Sequence, residues 1–287
     1  ERKKLRWAFS VYTSALYKIV SGDSIDSPSE ARLVIIFKHA VYAAIFCSTF
    51  IFVILYLNED LELDFRVLFA SSLIFAVISL YILSSGNWSE DYSPPEMLSI
   101  AIALFAARSQ NIPLMIFASV LAPSVRETGL LVGGLYILFN GISPRSFLIA
   151  GIAPTAFVAL NAGTLADWNF YQMGVISPMG SPRPTIFDFW RYAPSQWAAF
   201  MIQTAILFGP AAYLLASGRL KRRDAPLLFT IGGYLCVLLF GTYLGNIFPF
   251  LLIAPVLTIL YTRHFPGLRA KVHDRLEAGQ IKKKGGL

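Results

Sequence analysis

Long apolar runs separated by short polar connections dominate the chain. Five of these runs are long enough for a membrane-spanning helix, which needs about 20 predominantly apolar residues. They cover residues 34–57, 65–84, 195–217, 225–244 and 246–262. A sixth run, 146–163, also fits, because neighbouring helices can accommodate its Pro154 inside a membrane. The pattern therefore predicts a bundle of membrane-spanning helices.

The segment 94–140 has a different pattern. It contains three apolar runs, each shorter than a bilayer is thick, with polar breaks at 108–113 and 126–127. The three runs are 97–107, 112–125 and 128–139. Broken helices inside a membrane usually line a cavity. We therefore predict short or interrupted helices here, and an all-α, polytopic integral membrane bundle of about seven to nine transmembrane or half-membrane helices.

Composition supports the bilayer as the solvent for much of the chain. Of its 287 residues, 56% are hydrophobic and 14% are charged, whereas soluble domains average about 25% charged residues. Such a chain has too few polar side chains to cover a water-facing surface. Cys47 and Cys236 lie inside apolar runs, without a partner at metal-site or redox spacing. These features exclude a disulfide scaffold, a disordered tail and an ordinary soluble enzyme.

The net charge of +7 comes largely from three basic groups: one before the first apolar run, one at 219–223 and one after the last run. This distribution follows the positive-inside rule and indicates contact with anionic membrane lipid, not with nucleic acid. We expect an amphipathic cytoplasmic segment over 1–33, a transmembrane domain over 34–262 and a basic cytoplasmic tail over 263–287. The polar connection 164–194 then lies on the outer face.

Ionisable residues at membrane depth are costly and are therefore candidates for function. Arg126 and Glu127 stand between two apolar half-helices, followed by Thr128 and Gly129. One interpretation is a structural ion pair that fixes neighbouring helices, with Gly129 admitting a close approach. In the other, Arg126 is a bidentate ligand for a phosphate group and Glu127 orients it.

A second candidate group precedes the broken segment. Glu90, Asp91 and Glu96 lie close to Trp88 and Tyr92 in the sequence. Carboxylates beside aromatic rings suit sugar hydroxyls, because the acid accepts a proton while the ring packs on CH groups. An acidic turn at a helix N-terminus is equally an ordinary capping feature. The three histidines do not form a ligand pattern, so metal ligation by histidine is not expected.

The run from Glu90 to Arg108, followed by the run from Ile112 to Leu130 with its Arg-Glu-Thr sequence, resembles the central part of polytopic glycosyltransferases of the GT-C type. The resemblance runs from the acidic residue that opens one helix to the Arg-Glu-Thr at the end of the next. It implies transfer of a sugar from a polyprenyl-phosphate donor to an acceptor outside the cytoplasm. It further implies Asp91 as the carboxylate base and a divalent metal in some members.

Under this resemblance, Arg126 and Glu127 bind the donor phosphate or form a structural pair, and the transfer is inverting or retaining. Residues of the outer connection, Trp168, Tyr171, Trp190 and Arg191, would help to hold the donor or acceptor together with Glu90 and Glu96. The expected location is a bacterial inner membrane with cytoplasmic termini.

Two other functions stay open. The segment 241–250 has no charge and the chain is short, which favours a non-catalytic membrane subunit with protein partners, derived from the same fold. A small transporter or lipid-handling protein would also use broken helices and an intramembrane charge pair.

Overall fold

A computed structural model describes residues 28–85, 93–125, 127–166, 194–241 and 248–268. These residues contain no β-strand and fold into an all-helical bundle, as predicted. The α-helices are α1 (Pro28–Asp60), α2 (Phe65–Ser85), α3 (Ser93–Arg108), α4 (Ile112–Val125), α5 (Leu131–Asn140), α6 (Pro144–Ala150), α7 (Ile152–Ala166), α8 (Pro194–Ala216), α9 (Ala225–Gly241) and α10 (Ala254–Arg263). Short 3-10 helices cover Glu127–Leu130, Arg222–Asp224 and Phe248–Ile253.

Among the described residues, three helices are long and apolar enough to cross a membrane: His39–Asp60 within α1, Phe65–Ser84 in α2 and Trp197–Ala216 in α8. Their outer faces carry large apolar side chains, such as Leu80 at 65% exposure and Ile202 at 61%. Side chains of this kind are stable in contact with lipid and unfavourable in water. The architecture thus fits an integral membrane protein.

The segment 94–140 is divided into short helices, as the sequence predicts. The helices α3, α4 and α5 have 16, 14 and 10 residues, and each is shorter than the roughly 20 residues needed to span a bilayer. The first break lies at Gln110, whose φ of 56° ends helical geometry. Asn111 then caps α4 by accepting a hydrogen bond from the Leu114 N–H at 3.1 Å.

Two predicted spans are interrupted. The run 146–163 contains a break at Gly151 between α6 and α7, so its bend does not lie at Pro154. The prediction of one continuous helix over 246–262 is wrong, because a 3-10 helix over Phe248–Ile253 precedes α10. Pro255 occupies the first turn of α10, where its missing N–H costs no hydrogen bond. If α6 and α7 are taken as one bent helix, the described residues form nine helices, within the predicted range.

Long-range polar contacts establish which helix ends lie together. Arg108 pairs with Asp60, and Arg263 pairs with both Asp60 and Asp224. Asn140 donates a hydrogen bond to the Ala107 carbonyl at 3.0 Å. We call this the charged end of the bundle: the ends of α1, α3, α5 and α10 with the turn Arg222–Asp224. The helix directions then put the starts of α1 and α3 at the opposite end, with the 3-10 helix Glu127–Leu130.

This arrangement changes the predicted topology. The 33 residues of α1 measure about 50 Å at 1.5 Å per residue, so Arg32 and Lys38 at its start lie far from the charged end. The start of α1 and the 218–224 loop, which were both predicted to be cytoplasmic, lie at opposite ends of the bundle. Residues 1–27 of the predicted amphipathic segment and the basic tail beyond residue 268 lie outside the described residues.

Adjacent glycines in α5 offer a test of this packing. A Cβ on Gly133 would overlap the Ala150 carbonyl of α6, whereas a Cβ on Gly134 would meet no atom within 4 Å. We expect Gly133→Ala to destabilise the bundle by about 1–3 kcal/mol through overpacking. Gly134→Ala should be neutral or stabilising by up to about 1 kcal/mol, because alanine favours the helix. Thermal unfolding midpoints in detergent measure both, and equal midpoints for the two variants would contradict the packing of α5 on α6.

Candidate functional site

The predicted site residues divide into two sets. Glu96 is fully described, and Glu127 is described for its backbone alone, as the first residue of the 3-10 helix Glu127–Leu130. The others lie outside the described residues: Glu90, Asp91, Arg126, Trp168, Tyr171, Trp190 and Arg191. The assignments of base, phosphate ligand and outer-loop contacts therefore stay predictions.

Glu96 connects the two predicted candidate groups. It lies in the first turn of α3, after Pro94 and Pro95, and its side chain is 0% exposed. The Thr128 hydroxyl donates a hydrogen bond to Glu96 Oε1, and Thr128 is itself 5% exposed. This contact joins the start of α3 to the 3-10 helix that follows Arg126. Glu96 thus contacts protein, and its predicted role as a substrate ligand is untested.

The 3-10 helix Glu127–Leu130 also packs closely against α4. A Cβ on Gly129 would overlap the backbone of Ala122 and Pro123 in α4. Pro123 lies in the last turn of α4. Proline has no backbone N–H and its ring clashes with the preceding turn, so it is unfavourable inside a helix and is better tolerated near the end of one. The predicted close approach at Gly129 is confirmed, and its partner is α4.

Tyr234 of α9 adds a third element to this region. Its side chain is 1% exposed and interacts electrostatically with Glu96. Among the described residues, its hydroxyl has no hydrogen-bond partner. A buried hydroxyl usually has a partner, so Tyr234 offers an unused donor in the part of the bundle that contains Glu96.

A second polar cluster lies at the charged end, where the sequence did not predict a site. Arg108 Nη2 lies 2.7 Å from Asp60 Oδ1, and Arg263 Nε lies 3.5 Å from Asp60 Oδ2. Arg263 Nη1 lies 3.0 Å from Asp224 Oδ1, and His264 Nε2 lies 3.1 Å from Asp224 Oδ2. A continuous chain of five ionisable side chains therefore runs across the end of the bundle.

Burial distinguishes this chain from surface ion pairs. The side chains of Asp60, Asp224 and Arg263 are 1–2% exposed, whereas that of Arg108 is 34% exposed and that of His264 is 14% exposed. The Nε and Nη2 atoms of Arg263 make no well-directed hydrogen bond among the described residues. The attraction between Arg263 and the two carboxylates is therefore chiefly coulombic, which is strong in a buried environment.

The sequence carries a signal for this cluster. Asp60 follows the first apolar run, Arg108 follows the run in α3, Asp224 precedes the run in α9, and Arg263 follows the last run. Each charge thus flanks an apolar run, and alternating helix directions bring such flanks together. The positive-inside interpretation assigns Arg263 to orientation and not to pairing.

Metal ligation is not indicated by the described residues, because no group of three or more His, Cys, Asp or Glu side chains converges there. Asp60 and Asp224 are the buried carboxylates of the charged end, and both face Arg263. Their carboxylate oxygens therefore contact a cationic side chain of the protein itself.

Comparison with known proteins gives no match: no protein-family model, no characterised protein and no solved structure is similar to this chain.

Proposed function

We propose that the protein is a membrane glycosyltransferase that moves a sugar from a polyprenyl-phosphate donor to an acceptor on the outer face of the membrane. The reaction requires a base for the acceptor hydroxyl and a cation for the departing phosphate. Asp91 is the base in this proposal, and Arg126 is the phosphate ligand.

The hydrogen bond between Thr128 and Glu96 is the observation that supports the proposal best. In the sequence, Asp91 precedes Glu96 by five residues and Arg126 precedes Thr128 by two. Glu96 and Thr128 are 32 residues apart in the chain, yet they meet in a buried contact at the opposite end of the bundle from the charged end. The two segments that carry the resemblance to GT-C glycosyltransferases are thus joined directly.

The proposed chemistry is a substitution at the anomeric carbon of the donor sugar. The acceptor oxygen forms a bond to this carbon and loses its proton to the Asp91 carboxylate. The bond between the anomeric carbon and the phosphate oxygen breaks, and its electron pair leaves with the polyprenyl phosphate. Arg126 binds the developing charge in a bidentate fashion, and Glu127 orients Arg126.

Glu96 and Thr128 have a positioning role in this proposal. Because Glu96 is buried against Thr128 and Gly129 packs on α4, the backbone after Arg126 is fixed on both sides. A preorganised cation stabilises a transition state without the cost of reorienting during the reaction. Trp168, Tyr171 and Arg191 of the 164–194 connection are assigned to holding the donor lipid or the acceptor.

The proposal includes an orientation. Arg219, Lys221, Arg222 and Arg223 flank the charged end, so the positive-inside rule assigns this end to the cytoplasm of a bacterial inner membrane. The start of α1 and the region of Glu96 and Thr128 then face outward.

Cysteine labelling tests this orientation. In a chain whose Cys47 and Cys236 have been replaced by alanine, we expect Ser84→Cys, near the end of α2, to react with an impermeant maleimide added to intact cells. Ser217→Cys, in the exposed loop after α8, should react only after permeabilisation, because the membrane shields that face. Labelling of Ser217→Cys in intact cells would reverse the orientation and remove the proposed external site.

The transferase proposal is tested in cells that lack the full chain. We expect loss of a surface glycan and accumulation of the polyprenyl-phosphate sugar, both restored by the wild-type chain. Purified protein incubated with radiolabelled donor should release polyprenyl phosphate. Unchanged glycan in the deletion strain would remove the enzyme proposal. Loss of glycan without donor turnover by the purified chain would favour the non-catalytic subunit.

A further inference from the structure

The loop that connects α8 to the turn Arg222–Asp224 presents cations on a fixed scaffold. Arg219, Lys221 and Arg222 are exposed, and Arg223 is half-buried. Leu220 between them packs partly into the hydrophobic core. Four positive charges thus lie within five residues of chain at the cytoplasmic side of the proposed orientation.

The carboxylate of the same loop does not neutralise them. Asp224 is 1% exposed and points inward to Arg263 Nη1 at 3.0 Å and His264 Nε2 at 3.1 Å. It also accepts a hydrogen bond from the Lys221 N–H at 2.7 Å. These buried partners neutralise the Asp224 carboxylate and fix the backbone of the loop, so no acid among the described residues pairs with the outward-facing cations.

The exposed cations have no ion-pair partner among the described residues. Arg219 lies over the ring of Tyr213, with its guanidinium carbon 5.6 Å from the ring centroid. Tyr213 is 58% exposed on α8, on the same helix as the exposed Ile206 and Leu215. Tyrosine beside arginine at the end of an apolar helix is typical of the level where lipid headgroups begin.

We infer that loop 217–224 is a binding site for the phosphate headgroup of an anionic phospholipid. Guanidinium groups bind phosphate oxygens in a bidentate fashion, and the neighbouring apolar surface of α8 accommodates the acyl chains. The lipid is favoured over a soluble anionic partner because Arg219 and Tyr213 lie at the edge of that apolar surface. The site lies at the opposite end of the bundle from the proposed transferase site and does not depend on that function.

The test uses the purified full chain in a non-ionic detergent. Native mass spectrometry measures apparent Kd values for phosphatidylglycerol and for phosphatidylcholine with the same acyl chains. The wild type should prefer phosphatidylglycerol. The double variant Arg219→Gln, Arg222→Gln should bind phosphatidylglycerol about 25-fold more weakly, since each basic residue near an anionic lipid contributes roughly fivefold. Its binding of phosphatidylcholine should be unchanged.

A matched double variant removes two arginines that are also exposed at the charged end, Arg66→Gln and Arg145→Gln. It should retain wild-type affinity for phosphatidylglycerol. An equal loss of affinity in both double variants would show that only the total charge of the protein matters, and would overturn the inference. An unchanged affinity in Arg219→Gln, Arg222→Gln would overturn it as well. Competition by glycerol phosphate at the same concentration as the lipid would show an anion site without lipid selectivity, and would also overturn it.

Discussion

Replacing Arg263 with methionine should destabilise the bundle by about 3–5 kcal/mol, the usual cost of removing one partner from a buried ion pair. Arg263 lies between Asp60 and Asp224, and all three side chains are 1–2% exposed. Methionine fills a similar volume but leaves both carboxylates without their shared cation. Asp60 keeps Arg108 and Asp224 keeps His264, so the effect should fall toward the lower end of this range. Thermal unfolding in detergent and the amount of protein in the membrane measure it.

Two controls separate charge from packing. Arg222→Met removes an exposed cation from the neighbouring turn and should change stability by no more than about 0.5 kcal/mol. The double variant Arg263→Met, Asp60→Asn should recover part of the lost stability, because Asp60 no longer carries a buried charge. Arg108, which is 34% exposed, can then be hydrated. A double variant as unstable as Arg263→Met would argue against the ion-pair chain.

Asp91→Asn should lower sugar transfer by about 100-fold or more if Asp91 is the base, since general base catalysis contributes about 10²–10⁴-fold. Asparagine keeps the size of aspartate but cannot accept the proton. Arg126→Lys should also be damaging, because a point charge replaces a bidentate ligand. Both variants should accumulate normally in the membrane. Radiolabelled sugar transfer and membrane abundance, measured in parallel, check the prediction.

A purely structural role for the charged residues predicts a different pattern. Asp91→Asn would then be silent, whereas Arg126→Ala or Glu127→Ala alone would lower abundance and the double substitution would partly restore it. Glu62→Gln, an exposed acid at the charged end, is the control for loss of a negative charge and should leave transfer unchanged. Normal transfer by Asp91→Asn would remove the catalytic assignment.

The short helices of segment 94–140 could be predicted from the sequence because their causes are local. Asn111 caps α4, Pro113 fits its first turn, and Pro123 lies in its last turn. Each effect acts within a few residues and can be seen as a polar or proline break in an apolar run. The break at Gly151 was missed, since Pro154 in the same run was the more conspicuous helix breaker.

The charged end could not be predicted in the same way because its contacts are not local. Asp60, Asp224 and Arg263 come from three distant parts of the chain, and their pairing depends on helix direction and depth in the bundle. The predicted placement of the start of α1 on the same face as the 218–224 loop differs from the structure for a related reason. A count of basic residues assigns Arg32, Lys38 and Arg222 to the same face of the membrane. The length of α1, however, separates Arg32 and Lys38 from the turn Arg222–Asp224 by the thickness of a membrane.

The candidate site could be predicted only in part from the sequence. The acidic turn and the Arg-Glu-Thr sequence were identified as separate groups, and the Thr128–Glu96 hydrogen bond joins them. Tyr234 was not identified, since a tyrosine inside an apolar run resembles an ordinary core residue. Its hydroxyl is recognisable only once α9 is packed near Glu96.

The members of the ion-pair chain are synthesised at different times. Arg263 is made about 200 residues after Asp60, which at about 5–20 residues per second corresponds to roughly 10–40 s. During that interval Arg108 is the cation available to Asp60, and Asp224 emerges before its arginine. The helix α1 therefore enters the membrane with Asp60 before α10 supplies Arg263, its second cation partner. In chains that stop before α10, Asp60 and Asp224 lack Arg263, and such chains should be degraded by membrane proteases. A pulse-chase experiment should then show a shorter half-life for the truncated chain than for the full chain.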